Sequence, residues 1–514
     1  MVDQSISSVV LQGATAAADW VIVLPLVLCL MGAAATLMMP RSGPWRSFFA
    51  LLVVAVVVAC DVALLLRVVE SGPLGMTMGN WLPPFGISFV ADIFGAGFAL
   101  TGALVTLVIL VYVQGERGAG DNMEALILLL LAGVTGSFLT GDLFNLYVWF
   151  EVTLIASFGL IVQGGRPVQL DGALKYGFLN FLATALFLLS LGLLYGVLGT
   201  LNMADIMRVA PAANSAVMTA IAAILLVAFS MKAAAFPLNG WLPAAYHTPP
   251  AAISALFAGL LTKVGVYALL RTLVVLLPAS RDLLEPVLVA LAVATLLIAP
   301  LGAIAETNLR RSIGFLVIGG IGAVLAGIAL PSLVGVSGAG LYVFHSMLTM
   351  TALYLVAGLV ERHTGETDSR RMGGVYAGST PISIMFLALV LAVAGVPPFL
   401  GFWPKLLLLQ AGIGEGTWTG ALVSAALVIN AMLTLIAGTR LWSHIFWRPA
   451  GAGEAGRPLG DPWMPLAITA SLVMLIFAAG LWPNGLFEVL KLGAPDLLDP
   501  SRYVAAVALA GEAP

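Results

Sequence analysis

Apolar residues in this chain fall in long unbroken runs, with polar residues confined to the gaps between them. The runs cover roughly residues 18–39, 46–69, 88–112, 123–140, 142–163, 172–198, 213–235, 246–273, 283–305, 309–329, 336–361, 381–412, 419–447 and 463–483. Each is long enough for an α-helix to cross about 30 Å of hydrocarbon. Between the fourth and fifth runs, Thr140, Gly141 and Asp142 leave room only for a tight turn. The pattern predicts an all-α, polytopic membrane protein of about fourteen transmembrane helices.

Two runs are interrupted. One reads SMKAAAFPLNGWLP over residues 230–243 and carries Pro237; the other reads GVPPFLGFWPK over 395–405 and carries Pro397 and Pro398. Proline removes a backbone donor and clashes with the preceding turn. Broken backbone at membrane depth survives only inside protein or beside water. Two broken segments five helices apart point to a pair of inverted repeats with a transport pathway between them. The expected organisation is three N-terminal helices in 1–122, a first five-helix repeat in 123–275, a second in 276–447, and a last helix and tail in 448–514. Ordinary proline kinks are the simpler reading, but each break has a lysine beside it.

Composition agrees with a lipid-facing surface: of 514 residues, 61% are hydrophobic and 9% charged, against about 25% charged in soluble domains. The net charge of −3 says little, because the charges sit in loops. An N-terminus on the outside gives cytoplasmic loops with Arg41, Arg46, Arg117, Arg166, Lys175, Arg310, Arg311, Arg362, Arg370, Arg371, Arg448 and Arg457. The outer side then keeps only Arg67, Arg208, Arg271, Arg281, Lys491 and Arg502. Positive residues favour the inside, so both termini are expected on the outer face. The first twenty residues lack the basic start and cleavage site of a removable signal. Cys29 and Cys60 lie in separate runs and form no metal or redox motif. No Walker A loop, dinucleotide fingerprint, hydrolase carboxylate pair or His/Cys cluster is present, so no cofactor is expected. Energy for transport must come from an ion gradient or from partner subunits.

The ionisable residues left inside the runs are few. An ionised side chain at a helix centre costs roughly 2.5–3.5 kcal/mol on insertion scales. Glu151 stands midway in NLYVWFEVT over 145–153, and Lys232 adjoins the first break. The two form either a static ion pair or a switch whose opening frees a proton. Lys263, in GLLTKVGVY over 259–267, and Lys405, in the second break, have no acidic residue nearby in sequence. Three lysines against one well-placed glutamate cannot all be neutralised by pairing, which favours a proton relay over a scaffold. His345, in LYVFHSMLT over 341–349, is a relay candidate against a packing role. His247, opening HTPP at 247–250, is a candidate for proton uptake against a capping role. Asp92 is placed to cap the third helix. Asp61 has Arg67 or a partner subunit as its available partners.

With these motifs in hand, the chain resembles the antiporter-like family shared by multisubunit Mrp-type cation/proton antiporters and the proton-pumping subunits of respiratory complex I. The likeness rests on Lys232, FPLNGWLPAAYHTPPAAISAL over 236–256, KVGVY over 263–267, and GVPPFLGFWPK over 395–405. The stretch GNWLPPFGISFVAD over 79–92, Lys405 and the chain length are similar to the Mrp branch. The resemblance implies the inverted-repeat fold, Glu151 as partner of Lys232, and Lys263, His345 and Lys405 as a horizontal relay. It implies a secondary transporter subunit rather than an enzyme, in a bacterial inner membrane, with several different partner subunits exchanging Na⁺ for H⁺. A proton-pumping subunit of a quinone reductase or membrane-bound hydrogenase is the alternative. The chain departs from some relatives at Met350, where they carry a lysine, and it offers few buried carboxylates for Na⁺. The cation path is therefore expected on a partner.

Overall fold

A computed structural model describes residues 16–40, 45–79, 81–115, 122–449, 463–507 and 509. Arg41, Arg117 and Arg457, used above to orient the loops, lie outside these residues, as does most of the N-terminal stretch read for a signal. The apolar runs fold as helices because hydrocarbon offers the backbone no partner but itself. In chain order these are α1 (Leu24–Met38), α2 (Trp45–Ser71), α3 (Ile93–Gln114), α4 (Met123–Leu139), α5 (Leu143–Val162), α6 (Pro167–Leu198) and α7 (Ser215–Ala233). There follow α8 (Trp241–Tyr246), α9 (Ala251–Leu269), α10 (Pro278–Ala305), α11 (Leu309–Ala329), α12 (Leu333–Thr364), α13 (Thr380–Ala394) and α14 (Phe402–Gly414). The last four are α15 (Trp418–Trp442), α16 (Trp463–Leu481), α17 (Asn484–Leu498) and α18 (Ser501–Val507). Among the described residues, eleven helices are long and apolar enough to cross a membrane, and α1, α4 and α13 are shorter apolar helices. Polar side chains cap several helix starts. Asp142 accepts from Asn145 N at 2.8 Å, Ser332 from Gly335 N at 3.0 Å and Thr417 from Gly420 N at 3.1 Å, each satisfying a helix-start donor.

Burial sorts the helices into a centre and a rim. α9, α11 and α12 are almost wholly buried, and α12 packs on both of the others. α2, α6 and α16 turn most of their surface outward. Both interrupted runs break as the prolines required. α7 stops at Ala233, and Ala234 turns left-handed with φ 61°. The freed Met231 carbonyl accepts from the Trp241 indole at 2.9 Å. The run 381–412 is two helices, α13 and α14, separated by Gly395 at φ 86°. A side chain at Gly395 would meet the Lys405 stem, and one at Gly401 would meet the Ala392 carbonyl and the His345 ring.

Three expectations need correcting. The fold is mainly helical but not all-α: β1 (Leu74–Thr77) pairs antiparallel with β2 (Ser88–Ala91), Leu74 opposite Ala91. The sequence pattern leaves β1 in the gap before residue 88 and counts β2 as the start of the third helical run. The ribbon ties helix ends together, because Gly141 N donates to Ser88 O at 2.9 Å and Asn202 Nδ2 to Ser88 Oγ at 2.8 Å. The tail also folds, as amphipathic α17 and short α18, whose Tyr503 is buried. Arg271, counted as an outer-loop charge, is 2% exposed. It lies in the π-helical continuation of α9, Leu270–Leu276.

Three helices, α10 to α12, separate Asp282 from Thr367, so single cysteines at these positions should react with an impermeant thiol reagent from opposite faces of the membrane. Cys29 and Cys60 are replaced first. Reaction of both from one face would remove one crossing from this part of the fold.

Candidate relay of buried lysines

Lys232 occupies the last turn of α7 and is 7% exposed. Its ammonium lies 4.8 Å from the centroid of the Phe150 ring. No ion pair joins it to Glu151 among the described residues, although Glu151 is close enough to act on it electrostatically. Neighbouring helix positions point about 100° apart, so Phe150 faces the core and takes the place beside the amine. Glu151 is half-buried, near the outward stripe of Phe144, Val148, Ile155 and Phe158. One of its oxygens, Oε1, is buried without a partner. The direct pair expected from the sequence is thus open.

Lys263 sits mid-α9, 3% exposed, and donates to the Ala258 carbonyl at 2.5 Å. Two residues on, Gly265 lies on the Ala233 backbone, where an added Cβ would meet the nitrogen at 2.7 Å. This close approach brings the Lys263 helix against the end of α7. Lys405, in the first turn of α14, donates to Val393 O and Ala394 O at 3.0 Å each, with Asn430 Oδ1 at 3.5 Å. Those carbonyls belong to the end of α13 and have no helical partner because the helix stops there. Asn430 is held by its own donation to Leu296 O at 2.7 Å.

His345, on α12, is fully buried. Its Nδ1 lies 3.1 Å from Thr349 Oγ1, its Nε2 has no partner, and its ring meets Tyr342 edge-on at 5.6 Å. Lys263 and Lys405 both lie within its electrostatic reach. Met350 is fully buried on the same helix. His247 ends α8, half-buried, with Nδ1 2.9 Å from Pro243 O and with Arg310, Arg311 and Glu306 around it. Pro237, Pro397 and Pro398 lie within the two breaks. The structure therefore gathers Lys263, His345 and Lys405 in the core, with Lys232 beside them across the α7–α9 contact. Glu151 and His247 stand at the edges.

Sequence reasoning placed Asp92 as a helix cap but missed the partners of several buried charged groups. Asp92 caps α3 through Gly95 N at 2.7 Å and also pairs with Arg271. Arg271 Nε donates to Tyr267 Oη at 2.9 Å, and Tyr503 covers the guanidinium. Arg310 pairs with Glu361 at 2.9 Å and donates to Pro249 O at 2.6 Å. Asn430 was legible as a lone amide in an apolar run. Asp61 does not pair with Arg67, which binds Asp19 at 3.2 Å; both Asp61 oxygens are buried without a partner. Among the described residues no group of three or more His, Cys, Asp or Glu could hold a metal ion.

Comparison with known proteins identifies the family and the fold. Residues 140–434 match the family model described as NADH:quinone oxidoreductase/Mrp antiporter, transmembrane. The D-type subunit of the Na(+)/H(+) antiporter of Bacillus subtilis is 34% identical, over 95% of this chain and 99% of the relative. A chain of the Mrp complex from a Dietzia species superposes with a TM-score of 0.89 at 28% identity, over 96% of this chain and 100% of that one. A chain of an archaeal membrane-bound sulfane sulfur reductase superposes with a TM-score of 0.85 at 27% identity, over 95% and 99%.

Removing one member of a buried ion pair costs about 3–5 kcal/mol, whereas replacing both by apolar groups is far milder. Asp92→Asn keeps the cap and removes the charge. It should lower the melting temperature of the purified protein, and adding Arg271→Met should recover most of the loss. An Asp92→Asn melt equal to wild type would show that the pair contributes nothing.

Proposed function

We propose, from the premise that this chain belongs to the NADH:quinone oxidoreductase/Mrp antiporter family, that it is the D-type, proton-translocating subunit of a multisubunit Na⁺/H⁺ antiporter. It is a multi-pass membrane protein working beside different partner subunits. The eleven long and three shorter apolar helices support fourteen crossings, which put both termini on one face, and the loop arginines favour the outer one. The two broken helices support inverted repeats in 123–275 and 276–447, between an N-terminal unit of 1–122 and a C-terminal unit of 448–514.

The observation that carries the reading is the placement of Lys232, Lys263, His345 and Lys405 in one buried zone with few acids to neutralise them. A proton on the Lys232 amine is stabilised when Glu151 swings toward it and released when the contact opens. Lys263, His345 and Lys405 then pass it along the core, with carbonyls at Ala258, Val393 and Ala394 stabilising each charged amine in turn. His247 is the proposed uptake group, beside the charged side chains that open toward water.

Two substitutions test the relay in vesicles holding the complete complex. Glu151→Gln keeps shape and removes charge, and should stop Na⁺-driven proton flux while the complex still assembles. Lys405→Arg should fail as fully as Lys405→Ala, because guanidinium does not release its proton. Transport retained with arginine would leave only a requirement for positive charge.

The likeness to the sulfane sulfur reductase chain favours a second reading, a pump driven by redox partners. The Bacillus relative, similar over almost the full length of both chains, belongs to an antiporter, which decides for the first. Amines coordinate Na⁺ poorly compared with carboxylate and carbonyl oxygens. The purified chain alone should therefore show no Na⁺-dependent proton exchange, whereas the assembled complex should. Robust exchange by the isolated chain would require a cation site within it.

A further inference from the structure

Of the three lysines, Lys263 and Lys405 reach backbone carbonyls, but Lys232 has no hydrogen-bond acceptor or ion pair among the described residues and rests on a ring face. An ammonium has three donors, and water is the remaining way to satisfy them. A cavity of about 20 Å³ lies beside this lysine, its lining including Lys232, Phe150, Thr153, Tyr176, Asn180 and Trp241. A cavity above about 10–15 Å³ with two to four polar partners accepts one water. Lys232, Tyr176, Thr153 and Asn180 are polar residues of its lining, and the Thr153 hydroxyl, already donated to Trp149 O at 2.8 Å, can serve only as an acceptor. Asn180 Nδ2 is already turned to Tyr176 O at 2.9 Å, which leaves its oxygen as an acceptor.

Beyond the cavity the polar line continues. Tyr176 Oη and Ser157 Oγ lie 2.5 Å apart, both buried. Tyr176 is nearer than Asn180 to the start of α6, where Arg166 Nη2 donates to Thr248 O at 3.1 Å and Thr248 lies against Gly172. Tyr176 also packs on Trp241, ring centroids 5.4 Å apart, and so touches the segment after the first break.

We propose that a water in this cavity, held by Tyr176 and Asn180, delivers protons to Lys232, and that the Tyr176–Ser157 hydroxyl pair passes them on from the Arg166 face. The proposal rests on the relay reading. A proton arriving from that face is taken by Ser157 as Ser157 gives one to Tyr176. Tyr176 gives one to the water, and the water gives one to the neutral Lys232 amine. Each hydroxyl receives as it gives, so none is left ionised, and the net result is one ammonium.

The test measures Na⁺-driven proton flux in vesicles with the complete complex. Asn180→Leu fills the cavity and Tyr176→Phe deletes the hydroxyl; each should cut the rate at least about tenfold, the scale on which positioned proton carriers act. Asn180→Ser, which keeps a hydroxyl and room for water, should retain most of the rate; a purely packing role for Asn180 would favour leucine over serine instead. If Asn180→Leu fails to assemble, Tyr176→Phe alone decides. Lys232→Ala, run in parallel, separates the two ideas. If it abolishes flux while Tyr176→Phe and Asn180→Leu transport normally, the water path is wrong and the relay stands. If Lys232→Ala itself transports normally, the relay reading has failed.

Discussion

A lysine ammonium inside hydrocarbon needs oxygen acceptors, and a continuous helix offers only the second lone pair of carbonyls that already accept from an amide four residues on, as Ala258 does for Lys263. Acceptors become free where a helix stops. The break at Gly395 leaves the Val393 and Ala394 carbonyls for Lys405. Lys232 stands at the other break, where the Met231 carbonyl is already taken by Trp241. Charge in the core and broken backbone thus depend on one another, and the surrounding helices are packed to keep lipid away from both.

That packing explains the division into centre and rim. α9, α11 and α12 carry or enclose Lys263 and His345 and are shielded almost entirely by protein. Their ends are fastened by buried ion pairs rather than by loops: Asp92 with Arg271 at one end of α9, and Arg310 with Glu361 near the other. Both pairs stand at helix ends, where a charge is less costly than at the centre. In the middle of the bundle, Lys232, Lys263 and Lys405 have no ion-pair partner among the described residues, which fits the proposed relay.

The half-buried position of Glu151 fits a subunit that works in company. Its carboxyl stands beside an outward apolar stripe, and Lys232, its proposed partner, is screened by Phe150.

The runs of apolar residues and their two proline-marked interruptions determined by themselves that this chain is a helical membrane bundle with two broken helices, and that Lys232, Lys263, His345 and Lys405 are its unusual residues. This was legible because hydrocarbon permits few backbone solutions, and because a charge in an apolar run stands out without any knowledge of contacts. The sequence could not say which partner each charge takes. Arg271 read as a loop residue because it lies near the end of its run, yet Asp92, 179 positions away, draws it inside. Phe150 displaced Glu151 from Lys232 through the rotation of one helix, and β1–β2 formed from the gap before residue 88 and the first residues of the third apolar run. Pairings of this kind depend on the distance and angle between segments far apart in the chain, and only the packed tertiary structure sets those.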